Sequence, residues 1–183
     1  MIEGIRLERE FYARHAPVVA PLLLNTVLVV GPCAGRIVEV EAYTADDPAS
    51  HTFRGRTPRN ATMFGRAGVM YVYFTYGMHH CANVVTGTPD DGQAVLLRAV
   101  QPLRGLDVMR TRRSGRDDPH LTDGPGKLCQ AFALDRDDDG TDLCTHPTAM
   151  IVDDGTPPPD CPVTTGRIGI RNGTDRPWRW LAP

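Results

Sequence analysis

The sequence predicts a mixed α+β fold on an antiparallel β-sheet, in a single domain spanning 1–183. Three observations carry this. Strand-like runs outnumber helical ones and never alternate with them as βαβ units would. No linker separates two apolar cores, and no segment repeats. A chain of 183 residues is long enough for one sizeable core.

The elements follow in order. Residues 7–15 read as a short helix, and Pro17 and Pro21 bracket a second helical piece ending near Leu24. "TVLVV" (26–30) is β-branched and apolar, hence a strand. After the turn "GPCAG", the run "RIVEVEAY" (36–43) is its hairpin partner. Strict alternation there places Val38, Val40 and Ala42 on a core face and Glu39, Glu41 and Tyr43 on the other. Residues 44–68 are broken by Pro48, Gly55, Pro58, Gly65 and Gly68. A loop of that length inside a small domain tends to be functional.

"VMYVYFTYGMHHCANVV" (69–85) is the strongest β signal and turns at Tyr76-Gly77. Tyr71, Tyr73 and Thr75 share one face, Val72 and Phe74 the other, and His79, Cys81 and Asn83 share a face of the returning strand. "GQAVLLRAVQPL" (92–103) is a buried strand whose one charge is Arg98. A helix follows at about 104–113, and the glycine-rich start of "DGPGKLCQAFAL" (123–134) opens another. Residues 135–160 form an Asp- and Pro-rich connection with one short strand, "AMIVDD". "RIGI" (167–170) reads as a strand, and "RPWRWLAP" closes the chain.

Composition excludes several classes. No run of about 18 apolar residues exists, so no membrane span is expected, and the N-terminus lacks a signal-peptide pattern. The five cysteines are odd in number, with no C-x-x-C pair, which argues against a disulfide framework or structural zinc. The compartment expected is cytoplasmic. Net charge is −2, but residues 51–116 hold ten Arg against three Asp, while 117–160 hold Lys127 and Arg136 against eleven Asp. This split suits a polyanion-binding face beside an acidic solvated loop, or charges that merely pair across the fold. "MHHCAN" hints at a metal, yet alternation turns His80 away from His79 and Cys81. "LDRDDDGTD" lacks the closing Glu of a calcium loop, so no metal or cofactor is expected.

Only five glutamates occur, and two of them, Glu39 and Glu41, share one strand face with Tyr43. Such a face looks at water, or floors a polar cavity where a carboxylate activates a water. Residues i and i+2 on a strand lie about 6–7 Å apart, which overlaps the carboxylate spacing of inverting sugar hydrolases, roughly 6.5–9.5 Å. Three of the five tyrosines crowd into 71–76. Flat rings facing a polar cavity suit stacking on a planar ligand such as a nucleobase. An exposed aromatic at a hairpin tip suits insertion into a base stack.

"GRIVEVEAY", "SHTFRGRTPRNATMFGRAG", "YVYFTYGMHHCANVV", "AVLLRAVQPL", "DGPGKLCQAF" and "RIGI", in that order, resemble the alkyladenine (3-methyladenine) DNA glycosylase family, the type without a helix-hairpin-helix motif. The likeness runs from about Leu7 to Trp180. It implies a curved, open-barrel-like antiparallel sheet with flanking short helices and a protruding β-hairpin. It implies a monofunctional enzyme of base excision repair that flips alkylated or deaminated purines from duplex DNA. By the resemblance Glu41 is the general base, and Arg98 lies near the flipped nucleotide to bind phosphate or the water. Tyr43 and Tyr73 are opposite walls of the base pocket, with Tyr71 in support. His51 stacks on and hydrogen-bonds the base, and Asn83 screens out guanine. Tyr76 fills the gap left by the flipped nucleotide.

Charge and loop position add Arg54, Arg56, Arg59 and Arg66 as phosphate contacts. Lys127, the only lysine, is read as a backbone and phosphate contact, not as a nucleophile. The expected partner is double-stranded DNA carrying damaged purines, bound by a monomer at the nucleoid of a bacterial-type cell. Two rivals remain: a damage-binding protein without activity, and a hydrolase of free nucleosides or saccharides.

Overall fold

The computed structural model describes residues 2–75, 77–116 and 118–183. Its centre is one curled antiparallel sheet, with β1 (Ile5–Arg6), β2 (Val27–Val30), β3 (Cys33–Tyr43), β4 (Met70–Thr75), β5 (His79–Thr86), β6 (Gln93–Arg104), β7 (Ala149–Asp153), β8 (Val163–Thr165) and β9 (Arg179–Leu181). The main path runs β1-β7-β2-β3-β6-β5-β4, and β8 and β9 join at β3. The α-helices among the described residues are short: α1 (Arg9–Tyr12), α2 (Ala16–Leu23), α3 (Leu106–Arg112) and α4 (Pro125–Phe132). None among the described residues is long and apolar enough to cross a membrane.

Alternation along the strands separates two faces. On one, Val40, Ala42, Val72, Ala82, Val84, Val95 and Leu97 pack against Val19 and Leu23 of α2 and Leu128 and Phe132 of α4. Burying each such Leu or Val contributes roughly 1.5–3 kcal/mol, so this face holds the fold together. The other face carries Tyr71, Val85 and Ala94 with Met63, a smaller cluster flanked by Tyr73.

The long strand β3 departs from strict alternation. Its register with β6 slips on both sides of Glu39: Ile37 opposes Val100, Glu39 opposes Ala99, and Val40 opposes Leu97. Val38 is thereby an extra residue on β3, and Arg98 an extra one on β6. Such bulges bend a sheet and re-aim side chains. Ile37, not Val38, is therefore the core residue upstream of Val40. The bulge also divides the neighbours of β3. Residues before it pair with β2, and Glu39, Val40 and Glu41 pair with β9. The sheet forks at that point.

Four further expectations are corrected. The 7–15 segment is not one helix, because the Leu7 N–H continues the edge pairing past β1 onto the Ile151 carbonyl and only Arg9–Tyr12 is helical. Pro21 lies inside α2 rather than at its boundary. "RIGI" is not a strand, for no ladder partner reaches it; the closing strand is Arg179–Leu181 instead. The Asp-rich connection is not a solvated loop throughout. Asp139 accepts from the Val72 N–H and the Thr62 hydroxyl, both at 3.0 Å, Asp142 pairs with Arg9 at 2.6 Å, and Asp154 pairs with Arg36 at 2.7 Å.

Candidate active site

Register across four strands builds the site floor. Glu41 of β3 opposes Leu96 of β6, Leu96 opposes Asn83 of β5, and Asn83 opposes Tyr71 of β4. All four side chains stand on the face away from the helices. The row spans three inter-strand spacings, about 14 Å. Above it opens a cavity of about 360 Å³, lined by Tyr43, His51, Tyr71, Tyr73, Asn83 and Arg98, among others. That volume is in the range of sites that enclose a small planar molecule.

Glu41 is fully buried. A carboxylate out of water is costly unless hydrogen-bonded. Here one oxygen accepts from the Tyr43 hydroxyl at 2.8 Å. The other accepts from the Ile168 backbone N–H at 2.8 Å and lies 3.3 Å from Arg98 Nη1. Glu39 does not share that burial. It accepts from Arg98 Nε at 2.8 Å and from Arg179 Nε at 2.6 Å. The bulge lets Arg98 lie between two carboxylates, and the four groups together sum to zero charge. Burial opposes the Arg98 charge, but Glu41 and Glu39 outweigh it and hold the guanidinium above its ordinary value.

The rings are neutral. Burial, with Glu41 alongside, pushes the Tyr43 phenol up; burial, with the Cys81 thiol alongside, does the same for Tyr73. Burial pushes Tyr71 up to about 12. Tyr71 and Tyr73 stack at 5.5 Å, and the His51 ring meets Tyr73 edge-on at 4.4 Å. His51 Nδ1 lies 3.0 Å from the Tyr71 hydroxyl. Burial first, then the Arg59 charge, lower the imidazole below its ordinary value and favour its neutral form. Asn83 donates its amide to the Tyr71 carbonyl at 3.1 Å, which leaves the amide oxygen for the cavity.

His51 sits on the 44–69 loop, which is ordered from within. Buried Asn60 donates to the carbonyls of His51 (2.8 Å) and Gly55 (3.1 Å) and accepts from the Thr57 N–H at 2.7 Å.

Comparison with known sequences gives the family. The sequence model of methylpurine-DNA glycosylase matches residues 10–183. The chain belongs to that family. The glycosylase is therefore a hydrolase of N-glycosyl bonds that acts on DNA. It is 53% identical to a protein of Burkholderia lata over 98% of this chain and 89% of the other. It is 49% identical to one of Methanoculleus marisnigri and 47% identical to one of Carboxydothermus hydrogenoformans, each over 95% of this chain and 93% of the other. All three carry 3-methyladenine DNA glycosylase as a provisional name.

Among the described residues, the other expected contacts of the glycosylase, Arg54, Arg56, Arg59, Arg66 and Lys127, do not line the cavity. Arg54, Arg56, Arg59 and Arg66 are exposed. Arg56 forms a surface pair with Asp90 at 3.2 Å, and Arg59 donates to the Phe74 carbonyl at 3.1 Å. Lys127 pairs with Asp123 at 2.8 Å and lines a separate basic cavity with Arg113, Arg116 and His120. Tyr76 lies outside the described residues; its neighbours Gly77, Met78 and His79 are exposed at the hairpin turn. Sequence reasoning missed Glu39 as the shared partner of Arg98 and Arg179, and Ile168 as a donor to Glu41. For Ile168 the signal was the "RIGI" motif itself, read as a strand.

Proposed function

We propose that the protein is a monofunctional glycosylase that draws alkylated or deaminated purines, 3-methyladenine among them, out of duplex DNA and hydrolyses their N-glycosidic bond with a water activated by Glu41. One observation carries this reading: the cross-strand row with a buried carboxylate at one end and a tyrosine at the other, under a cavity walled by rings. The relatives' names supply the substrate class. The base would rest over Leu96 and Asn83, between Tyr43, Tyr73 and His51, with C1′ at the Glu41–Arg98 end.

The chemistry suits these parts. Water oxygen bonds to C1′, the C1′–N electron pair leaves with the base, and the water proton passes to Glu41. A base alkylated at N3 or N7 is cationic and departs neutral, so its bond needs little help. Neutral, electron-rich rings attract such a cation. The oxocarbenium-like transition state gains from the anionic Glu41 beside it. Asn83, with its amide group turned onto the Tyr71 carbonyl, offers an oxygen on the base edge. Lys127 pairs with Asp123 and lines a separate cavity, which supports water rather than an amine as the nucleophile.

The test is direct. Duplexes carrying single defined lesions are incubated with the protein, and abasic sites are scored. Release of alkylated purine, without a covalent protein–DNA adduct on borohydride treatment, is the result expected. An adduct would overturn the monofunctional mechanism, and no release would overturn the whole reading.

A further inference from the structure

Behind the Tyr43 wall lies an ion pair that the chemistry above does not use. The side chains of Arg167 and Asp47 are both 0% exposed. The guanidinium forks onto the carboxylate through Nη1 and Nη2, the second bond at 2.9 Å. Nη1 also donates to the Ala42 carbonyl at 2.9 Å, and Nη2 to that of Gly173 at 3.0 Å. The remaining donor, Nε, has no hydrogen-bond partner among the described residues. It faces rings instead, for the guanidinium carbon is 4.7 Å from the Tyr43 centroid and 5.5 Å from that of Trp178. Gly173 is shaped to this pair. Its φ is +65°, and a Cβ there would stand 2.5 Å from Asp47 Oδ1.

Stability alone does not account for such a pair. Replacing a buried ion pair by apolar side chains of similar volume is often neutral or stabilising. What an apolar pair does not supply is direction. Arg167 grips the carbonyl of Ala42, the residue between Glu41 and Tyr43, and the next residue, Ile168, donates to Glu41. Its cation lies on the Tyr43 ring, with Asp47 cancelling the charge.

We propose that Arg167 and Asp47 are positioning residues for base excision. They form a clamp that keeps the Ile168 N–H on Glu41 and backs the Tyr43 wall. This rests on the reading of Glu41 as the base that activates water. Misplacement by about 1 Å in such a site costs about 10²-fold in rate.

The test pairs the double variant Arg167→Met/Asp47→Leu, which keeps volume and removes direction, with the single variant Arg167→Lys. Three quantities are read: the thermal midpoint, the Kd for a duplex carrying a tetrahydrofuran abasic analogue, and the single-turnover release of 3-methyladenine from methylated duplex DNA at saturating enzyme. The expected result is a folded protein whose Kd stays within about 3-fold and whose release slows by about 10²-fold. A folded variant that releases base within about 3-fold of wild type overturns the clamp, as do equal losses of affinity and rate. Arg167→Lys decides by the same criteria should the double variant not fold. A wild-type protein that releases no 3-methyladenine overturns the underlying reading and the clamp with it, whereas the outcomes specific to the variants bear on the clamp alone.

Discussion

At the residue scale, each acid of the "VEVEAY" strand has a separate task. Glu41 is enclosed by the Tyr43 hydroxyl, the Ile168 N–H and Arg98. On the proposed mechanism, Glu41→Gln keeps the shape but loses the acceptor of the water's proton, so single-turnover release should fall by about 10²–10⁴-fold while lesion DNA is still bound. Unchanged release would remove Glu41 from the mechanism. Glu39 serves Arg98 and Arg179 instead, at 2.8 and 2.6 Å. Glu39→Gln takes from Arg179 its anion and leaves buried Arg98 only Glu41, so urea unfolding should show a loss of about 2 kcal/mol at unchanged slope. His51 contributes a pH dependence with a definite sign. Burial, then Arg59, set its folded value below the ordinary 6.5. As pH falls through 6.5, the unfolded chain takes up a proton that the folded one refuses, so stability drops over the interval down to the folded value. In urea unfolding at pH 7.5 and 5.5, His51→Gln should show a smaller loss between the two than wild type. An equal loss would place the titrating group elsewhere.

At the scale of elements, legibility depended on how local each cause was. Alternation located Glu41, Tyr43, Tyr71, Tyr73 and Asn83 on one face, because each strand repeats every two residues wherever its ladder is regular. It failed at Val38, where the extra residue resets the phase, and nothing within "RIVEVE" marks that reset. "RIGI" reads as a strand by the same rule. Its backbone N–H bonds a side chain on β3 some 127 residues away, a pairing no local pattern shows. The three-residue strand β9 was hidden for a similar reason, since Glu39, Val40 and Glu41 of β3 create it by supplying its ladder. The segment after "RIGI" is likewise shaped by a distant partner. At Gly173 an added methyl meets both a positive φ and the Asp47 carboxylate. Gly173→Ala should therefore lower stability by at least about 1–2 kcal/mol, read from urea unfolding. A neutral effect would mean that the Gly173 turn yields without cost.

At the scale of the whole molecule, the charge split of the sequence resolves into two unlike arrangements. Part of the acidic half is tied down, with Asp139, Asp142 and Asp154 joining segments distant in sequence. In the basic half Arg98 and Arg112 are held inside the fold, but the arginines of the long loop are freer. Arg54 and Arg66 stand exposed on the loop that carries His51, and the Arg56–Asp90 pair is exposed on both sides. Exposed pairs of this kind contribute little, so Arg56 can exchange Asp90 for a phosphate. On the proposed function, the exposed arginines of this loop would bind backbone irrespective of sequence, and the cavity would test the base. Each phosphate neutralised releases condensed counterions and adds about 0.9 to the slope of log K against log salt. Arg54→Ala and Arg66→Ala should each reduce that slope by about 1 for damaged and undamaged duplex alike. Single-turnover release at saturating enzyme should stay within about 2-fold of wild type, since neither side chain lines the cavity. A variant that keeps the full salt slope would move the phosphate track off this loop. A variant that binds normally but releases base slowly would show that these arginines and the cavity are coupled.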